Sequence, residues 1–108
     1  MKQGLYINKL GVKRWYKDDE LHCDDGPAVV FFNSSKCWYQ WGKIHRTNGP
    51  AVEYDDGTTK WYNTGKLHRT DGPAVEFSGG RKLWYLNGEE FTQEQWQEKI
   101  LRKTFDIL

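Results

Sequence analysis

Residues 66–77 of this chain read KLHRTDGPAVEF, residues 43–54 read KIHRTNGPAVEY, and residues 20–31 read ELHCDDGPAVVF. The histidines fall at His22, His45 and His68. The Gly-Pro-Ala-Val blocks begin at Gly26, Gly49 and Gly72. Trp-Tyr pairs begin at Trp15, Trp38, Trp61 and Trp84, and every step is 23 residues without an insertion. A fixed period constrains the fold more than any single motif. Each period is one supersecondary unit that cannot bury its apolar side alone and must stack on its neighbours. The ends are partial units. LYINKLGVKR (residues 5–14) matches the second half of a period, with Gly11 where Gly57 stands, and WYLNGEEF (84–91) matches the first half, with Phe91 where His68 stands.

Within a unit the turns are legible. DDGT (55–58) and SGGR (78–81) are Gly-containing loops between apolar stretches, and NTGK (63–66) and LNGE (86–89) are a second set. A turn at Thr64-Gly65 places Tyr62 across from Leu67 and Trp61 across from His68. A four-residue loop at 55–58 places Val52 across from Trp61, Glu53 across from Lys60 and Tyr54 across from Thr59. These registers put Trp, His, Val and Tyr/Phe on one face and Tyr, Leu/Ile, Ala and a Glu–Lys pair on the other. The segment RTDGP interrupts the second strand, because proline cannot donate to a ladder. It reads as a bulge or wide turn inside a two-strand unit, with a three-strand unit as the alternative. The 16% aromatic content suits a half-buried pleat. The expected fold is an elongated antiparallel β-meander over 5–91 followed by one amphipathic helix over 92–108, all in a single domain. In that tail Thr92 and Gln95 have capping-box spacing. Trp96, Ile100, Leu101, Thr104 and Leu108 follow helical spacing, and acid (Glu94, Glu98) precedes base (Lys99, Arg102, Lys103). The helix is expected to pack on the last strands.

The unit KWYNTGKLHRTDGPAVEFSGGR resembles the variant MORN-type repeats, in which an aromatic precedes a Gly turn, a second strand and another Gly turn. The pattern Trp-Tyr-x-x-Gly-x-x-His-Arg-x-Asp-Gly-Pro-Ala is similar to repeat proteins carried by large bacteriophages and giant viruses. The resemblance covers about residues 5–91. It implies an elongated meander and a viral, non-enzymatic binding protein, with a host protein such as a defence-system component as the target it would block. A Gly-Pro-Ala block stands where ordinary MORN units have Gly-x-Gly, so lipid binding is not carried over.

The recurring His and Arg invite a chemical reading. Ligands of one ion must lie within about 2 Å of it, whereas equivalent residues in a meander of two strands per unit lie about 10 Å apart. His22, His45 and His68 therefore cannot share a metal. No Ser, Cys or Asp recurs at a spacing that would complete a triad, so no catalytic residue, metal or cofactor is assigned. Because Phe91 fills the His position in the last unit, the histidines read as ring packing against the column Trp15, Trp38, Trp61 and Trp84. Arg46 and Arg69 are replaced by Cys23 in the first unit, so the scaffold does not demand them, and they become candidate contact residues, a carboxylate or phosphate clamp. Trp41 takes a turn position held elsewhere by Asp18, Thr64 and Asn87, and joins them as a candidate anchor.

Sixteen Lys and Arg balance 15 Asp and Glu at a formal net charge of +1, which does not favour nucleic acid or a membrane surface. No stretch is apolar enough to span a bilayer, and MKQGLYINKL lacks a signal-peptide run. The expectation is a cytoplasmic protein with Cys23 and Cys37 as free thiols. The leading function is a protein-interaction module. Alternatives are a nucleotide or nucleic-acid binder using Arg46, Arg69 and the Trp/Tyr rings, and a structural scaffold. Aromatic columns on both faces also predict a covered face, for which a homodimer is one solution.

Overall fold

The computed structural model describes residues 1–107. Its strands are β1 (Gly4–Ile7), β2 (Lys13–Lys17), β3 (Glu20–Leu21), β4 (Val29–Val30), β5 (Lys36–Cys37), β6 (Tyr39–Gln40), β7 (Lys43–Ile44), β8 (Val52–Glu53), β9 (Thr59–Lys60), β10 (Tyr62–Asn63), β11 (Lys66–Leu67), β12 (Val75–Glu76), β13 (Lys82–Leu86) and β14 (Glu89–Phe91), followed by α1 (Gln93–Ile107). One sheet runs β1-β2-β4-β5-β8-β9-β12-β13-β14 with β3 beside β2, while β6-β7 and β10-β11 are separate small hairpins. The molecule measures 48 × 32 × 19 Å. This is the expected antiparallel meander with one C-terminal helix. For reference, the units beginning at Trp15, Trp38, Trp61 and Trp84 are called first to fourth.

Two turn types alternate along the chain. At one edge of the sheet, two-residue turns join Lys17 to Glu20, Gln40 to Lys43, Asn63 to Lys66 and Leu86 to Glu89. Both central residues have positive φ: 50° and 69° at Asp18-Asp19, 51° and 81° at Trp41-Gly42, 47° and 85° at Thr64-Gly65, 51° and 85° at Asn87-Gly88. That is the type I′ geometry whose twist matches paired strands. It sets Tyr62 opposite Leu67, as expected. At the other edge the loops hold three residues, not four. Tyr54 N–H donates to Thr58 O at 2.9 Å and Gly57 N–H to Tyr54 O at 3.0 Å, with Gly57 at φ 93°. This is a turn closed by a bulge glycine, and it slides the register by one residue. Val52 faces Lys60 and Glu53 faces Thr59, not Trp61 and Lys60.

The slip changes the faces. Val52 shares its cross-strand row with Cys37 and Lys60, and Val75 with Lys60 and Leu83, so the valines do not join the tryptophan column. Instead the Gly-Pro-Ala-Val block is the core. Ala28, Ala51 and Ala74 are fully enclosed, and Val29, Val52 and Val75 are buried beside them. The Gly-Pro-Ala of each block closes an excursion from the sheet, residues 22–28, 45–51 and 68–74. On either side of the third excursion, β11 pairs with β10 and β12 with β9. The returning arm therefore stays opposite one outgoing arm, and the expected interruption of a two-strand unit is a wide excursion of the whole His-Arg-x-Asx-Gly-Pro segment.

The helix is capped as its sequence implies. Thr92 N–H donates to Gln95 Oε1 at 3.0 Å and Gln95 N–H to Thr92 Oγ1 at 3.2 Å. Its anchor is Trp96, buried with its ring centre 4.7 Å from that of Trp84 and its Nε1–H donating to Arg69 O at 3.0 Å. Ile100 is half-buried. Leu101 and Thr104, expected on the packed face, are exposed, whereas Lys99, Arg102 and Lys103 line a cleft with Leu86 and Phe91. Leu108 lies outside the described residues.

Candidate functional site

The His-Arg-x-Asx-Gly-Pro excursions lie in a row, and their side chains are largely occupied with one another. Each histidine reaches the next unit's turn. Trp41 N–H donates to His22 Nδ1 at 3.0 Å, Thr64 N–H to His45 Nδ1 at 2.9 Å and Asn87 N–H to His68 Nδ1 at 2.9 Å. The donor in each case is the first residue of a type I′ turn. An Nδ1 that accepts leaves the ring proton on Nε2. In His22 that Nε2–H donates to Asp24 Oδ1 at 2.6 Å, which holds the Asp24 carboxyl below its ordinary range. At His68, burial and nearby Lys103 push the imidazole pKa down.

The reading of the histidines as ring packing against the cross-strand tryptophan therefore needs correction. Their scaffold role runs through a hydrogen bond between units. Phe91 is tolerated because the chain turns into α1 after it, and no further type I′ turn follows for a ring nitrogen to hold. A second stitch mirrors the first at the three-residue loops. Asp55 N–H donates to buried Ser35 Oγ at 3.0 Å, and Ser78 N–H to buried Thr58 Oγ1 at 3.2 Å. The one signal of Ser35 and Thr58 in the sequence is their 23-residue spacing.

What covers Trp38 and Trp61 is arginine. Arg46 Cζ sits 3.9 Å from the Trp38 ring centre and Arg69 Cζ 4.0 Å from that of Trp61. Arg46 Nη1 donates to Pro50 O (3.1 Å) and Glu53 Oε2 (3.3 Å). Arg69 Nη1 donates to Pro73 O (3.1 Å) and Glu76 Oε1 (3.0 Å), and its Nε to Asp71 Oδ1 (2.9 Å). The guanidinium is thus a plug between ring and excursion. It also accounts for the glycine beneath it. A Cβ on Gly49 would lie 2.8 Å from Arg46 Cζ, and one on Gly72 2.7 Å from Arg69 Cζ. The two arginines, expected as contact residues, are engaged inside their own units.

Trp41 remains half exposed. Its ring lies 4.3 Å from that of His22, tilted 45°, with Lys17 Nζ 5.1 Å away. Trp15, Trp38, Trp61 and Trp84 are half-buried. Cys23 lies on the first excursion and Cys37 in β5, both as free thiols, and burial is the main cause that raises the pKa of each.

Clefts separate successive excursions. One of about 380 Å³ lies between Arg46–Asn48 and the third unit's Trp61, His68 and Arg69. Its counterpart one period earlier is larger, about 660 Å³, and reaches Cys23, Asp25, Gly26 and Pro27 on one side and Trp38 and His45 on the other. Along the opposite edge, Phe31, Tyr54 and Phe77 recur at the 23-residue interval with 37%, 40% and 36% of their surface exposed. Phe32 and Leu10, both strongly exposed, extend that border. Among the described residues no group of three His, Cys, Asp or Glu side chains could hold a metal ion, and no helix is long and apolar enough to cross a membrane. No protein-family model, curated protein or solved structure matches the chain.

Proposed function

We propose that this chain is a non-enzymatic protein-interaction module that works by presenting a rigid, ridged surface to a partner. The observation that carries the reading is the border of Phe31, Phe32, Tyr54 and Phe77, with Leu10 in the neighbouring loop. These are large apolar side chains set in water at a regular spacing. Lys60 and Arg81 lie near the Tyr54 and Phe77 rings, 5.3 and 5.8 Å from their centres, and exposed aromatic side chains of this kind dominate contact energetics. The Trp and Tyr columns do not serve as the exposed surface, since they are half-buried within the chain. Half-exposed Trp41 adds a second anchor at the other edge. The wording of the repeat adds the expectation of a bacteriophage or giant-virus protein that blocks a host protein such as a defence component. A second copy of the chain is the other candidate for covering the border.

Nucleotide or nucleic-acid binding is the second reading. It would need Arg46 and Arg69 on phosphate, and both guanidinium groups already carry internal ion pairs. A purely architectural role predicts no partner at all. Pull-downs from lysate with and without nuclease, run in parallel with a Phe32→Ser/Tyr54→Ser variant, separate these. A protein that survives nuclease and is lost with the variant supports the module. Co-purifying nucleic acid supports the second reading, and equal capture by both chains overturns the role given to the border.

A further inference from the structure

We infer that the first unit holds an open seat for a guanidinium group and takes there an arginine side chain of a partner protein. This names the chemistry of one contact within the module proposed above and rests on that reading.

The repeat supplies its own comparison. In the second and third units an arginine lies on a tryptophan ring, donates to a proline carbonyl, and covers a glycine that has no room for a Cβ. The first unit keeps the other parts: Trp15 for the ring, Pro27 for the carbonyl, Gly26 for the floor, and Asp25 where Asp71 receives the Arg69 Nε–H. The backbone is laid out alike. Trp15 N–H donates to Ala28 O at 2.8 Å, as Trp38 does to Ala51 O and Trp61 to Ala74 O at 2.7 Å. The arginine is missing, replaced by Cys23, whose side chain is too short to reach the seat, and so is the glutamate that Arg46 and Arg69 bind in their own units.

Three observations show that the space above Gly26 and Pro27 is open. A Cβ built on Gly26 meets nothing within 4 Å, against 2.8 and 2.7 Å on Gly49 and Gly72. Gly26 is half-exposed where Gly49 and Gly72 are buried. The cleft of about 660 Å³ is lined by Gly26 and Pro27, with Trp38 and Arg46 of the second unit across from them, whereas Gly49 and Pro50 do not line the smaller cleft one period on. Gly26 also has no left-handed φ that would demand glycine.

Asp24 and Asp25 flank the opening on one side, and Arg46, whose charge is paired with Glu53, lines the other. Asp24 is bound to His22 at 2.6 Å and faces Lys17 at 3.9 Å, so its charge is largely answered. Asp25 accepts only a long thiol contact, 3.4 Å from Cys23 Sγ, among the described residues. The fourth element of the internal seats, Glu53 or Glu76, is Val30 here. A planar cation fits a ring, a carbonyl and one carboxylate better than a compact, strongly hydrated ammonium does.

The test is a titration of the intact, ¹⁵N-labelled chain with acetyl-arginine amide, followed at the Trp15 indole N–H and the Gly26 amide. Both signals are expected to shift saturably, and the neutral citrulline analogue to bind at least about tenfold more weakly. Cys23→Arg should supply the guanidinium from within and abolish the response. Gly26→Val, which fills the space without charge, should do the same and decides the matter if the arginine variant folds poorly. Absence of saturation, equal response to citrulline, or shifts that persist in a folded variant would overturn the seat. No partner protein enters the assay, so the seat and the aromatic border can fail separately.

Discussion

Replacing Gly72 with alanine tests the arginine plug directly. The new methyl would lie 2.7 Å from Arg69 Cζ and 3.0 Å from its Nε and Nη1. The guanidinium must then shift away from its place on the Trp61 ring, which strains or breaks its bonds to Pro73 O, Glu76 and Asp71. A cation–π contact at a partly exposed site contributes about 0.5–1 kcal/mol. The hydrogen bonds add about 1–1.5 kcal/mol after discounting for their exposed carboxylates. The expected loss is about 2 kcal/mol, or roughly 10 °C in Tm at this chain length. Gly26→Ala, with open space above it, should be neutral or slightly stabilising through the unfolded chain. Thermal and denaturant melts of a double-mutant cycle decide whether the collision is the cause. In an Arg69→Cys background, which copies the first unit, Gly72→Ala should cost less than about 0.5 kcal/mol. If the glycine substitution costs the same with and without Arg69, the backbone rather than the guanidinium requires the glycine, and the reasoning fails.

Three further expectations follow from the stitches and the helix. His22→Phe should destabilise by about 1–3 kcal/mol in equilibrium unfolding, because it strips the Trp41 N–H of its acceptor in a partly buried place; an unchanged midpoint would restore the ring-packing reading. His68 has a depressed folded pKa, so the unfolded chain binds the extra proton first. Its contribution is complete above the ordinary histidine pKa of about 6.5 and is lost as pH falls from there toward the folded value. Melts at stepped pH should show this component and lose it in His68→Gln. Trp96→Ala should cost about 3–5 kcal/mol and reduce helical circular dichroism, since that ring ties α1 to Trp84 and Arg69 O; a helix signal that survives would mean the helix stands without its anchor.

Much of this architecture is legible in the sequence. The period located each unit, Asn87-Gly88 and Thr64-Gly65 located the tight turns, and Thr92 with Gln95 located the helix start. The register at the other edge was legible only to within one residue, because DDGT does not announce whether Thr58 belongs to the loop or to the strand. Gly57 as a bulge decides it, and the slip carried the valines to another row. The arginines misled for a related reason. Their partners lie four and seven residues on, distances that an extended strand would keep apart and that only the Gly-Pro excursion folds back. The histidine stitch spans 19 residues and joins a side chain to a backbone N–H, a partner type no residue pattern displays. Replacement of His by Phe at position 91 pointed toward packing, when it marked the place where the next turn ceases to exist.

The stitches also bear on how the chain is assembled. Those between units reach across 19 or 20 residues, and the bond from Trp96 back to Arg69 spans 27. Closure of such short loops is fast and entropically mild, and folds dominated by near-range pairings form quickly. A unit can lock onto its predecessor once about one further period of polypeptide has left the ribosome, without waiting for distant sequence. Growth in order of synthesis keeps each newly formed strand edge exposed only until the following period arrives. That limits the interval in which aromatic borders on neighbouring nascent chains could find one another.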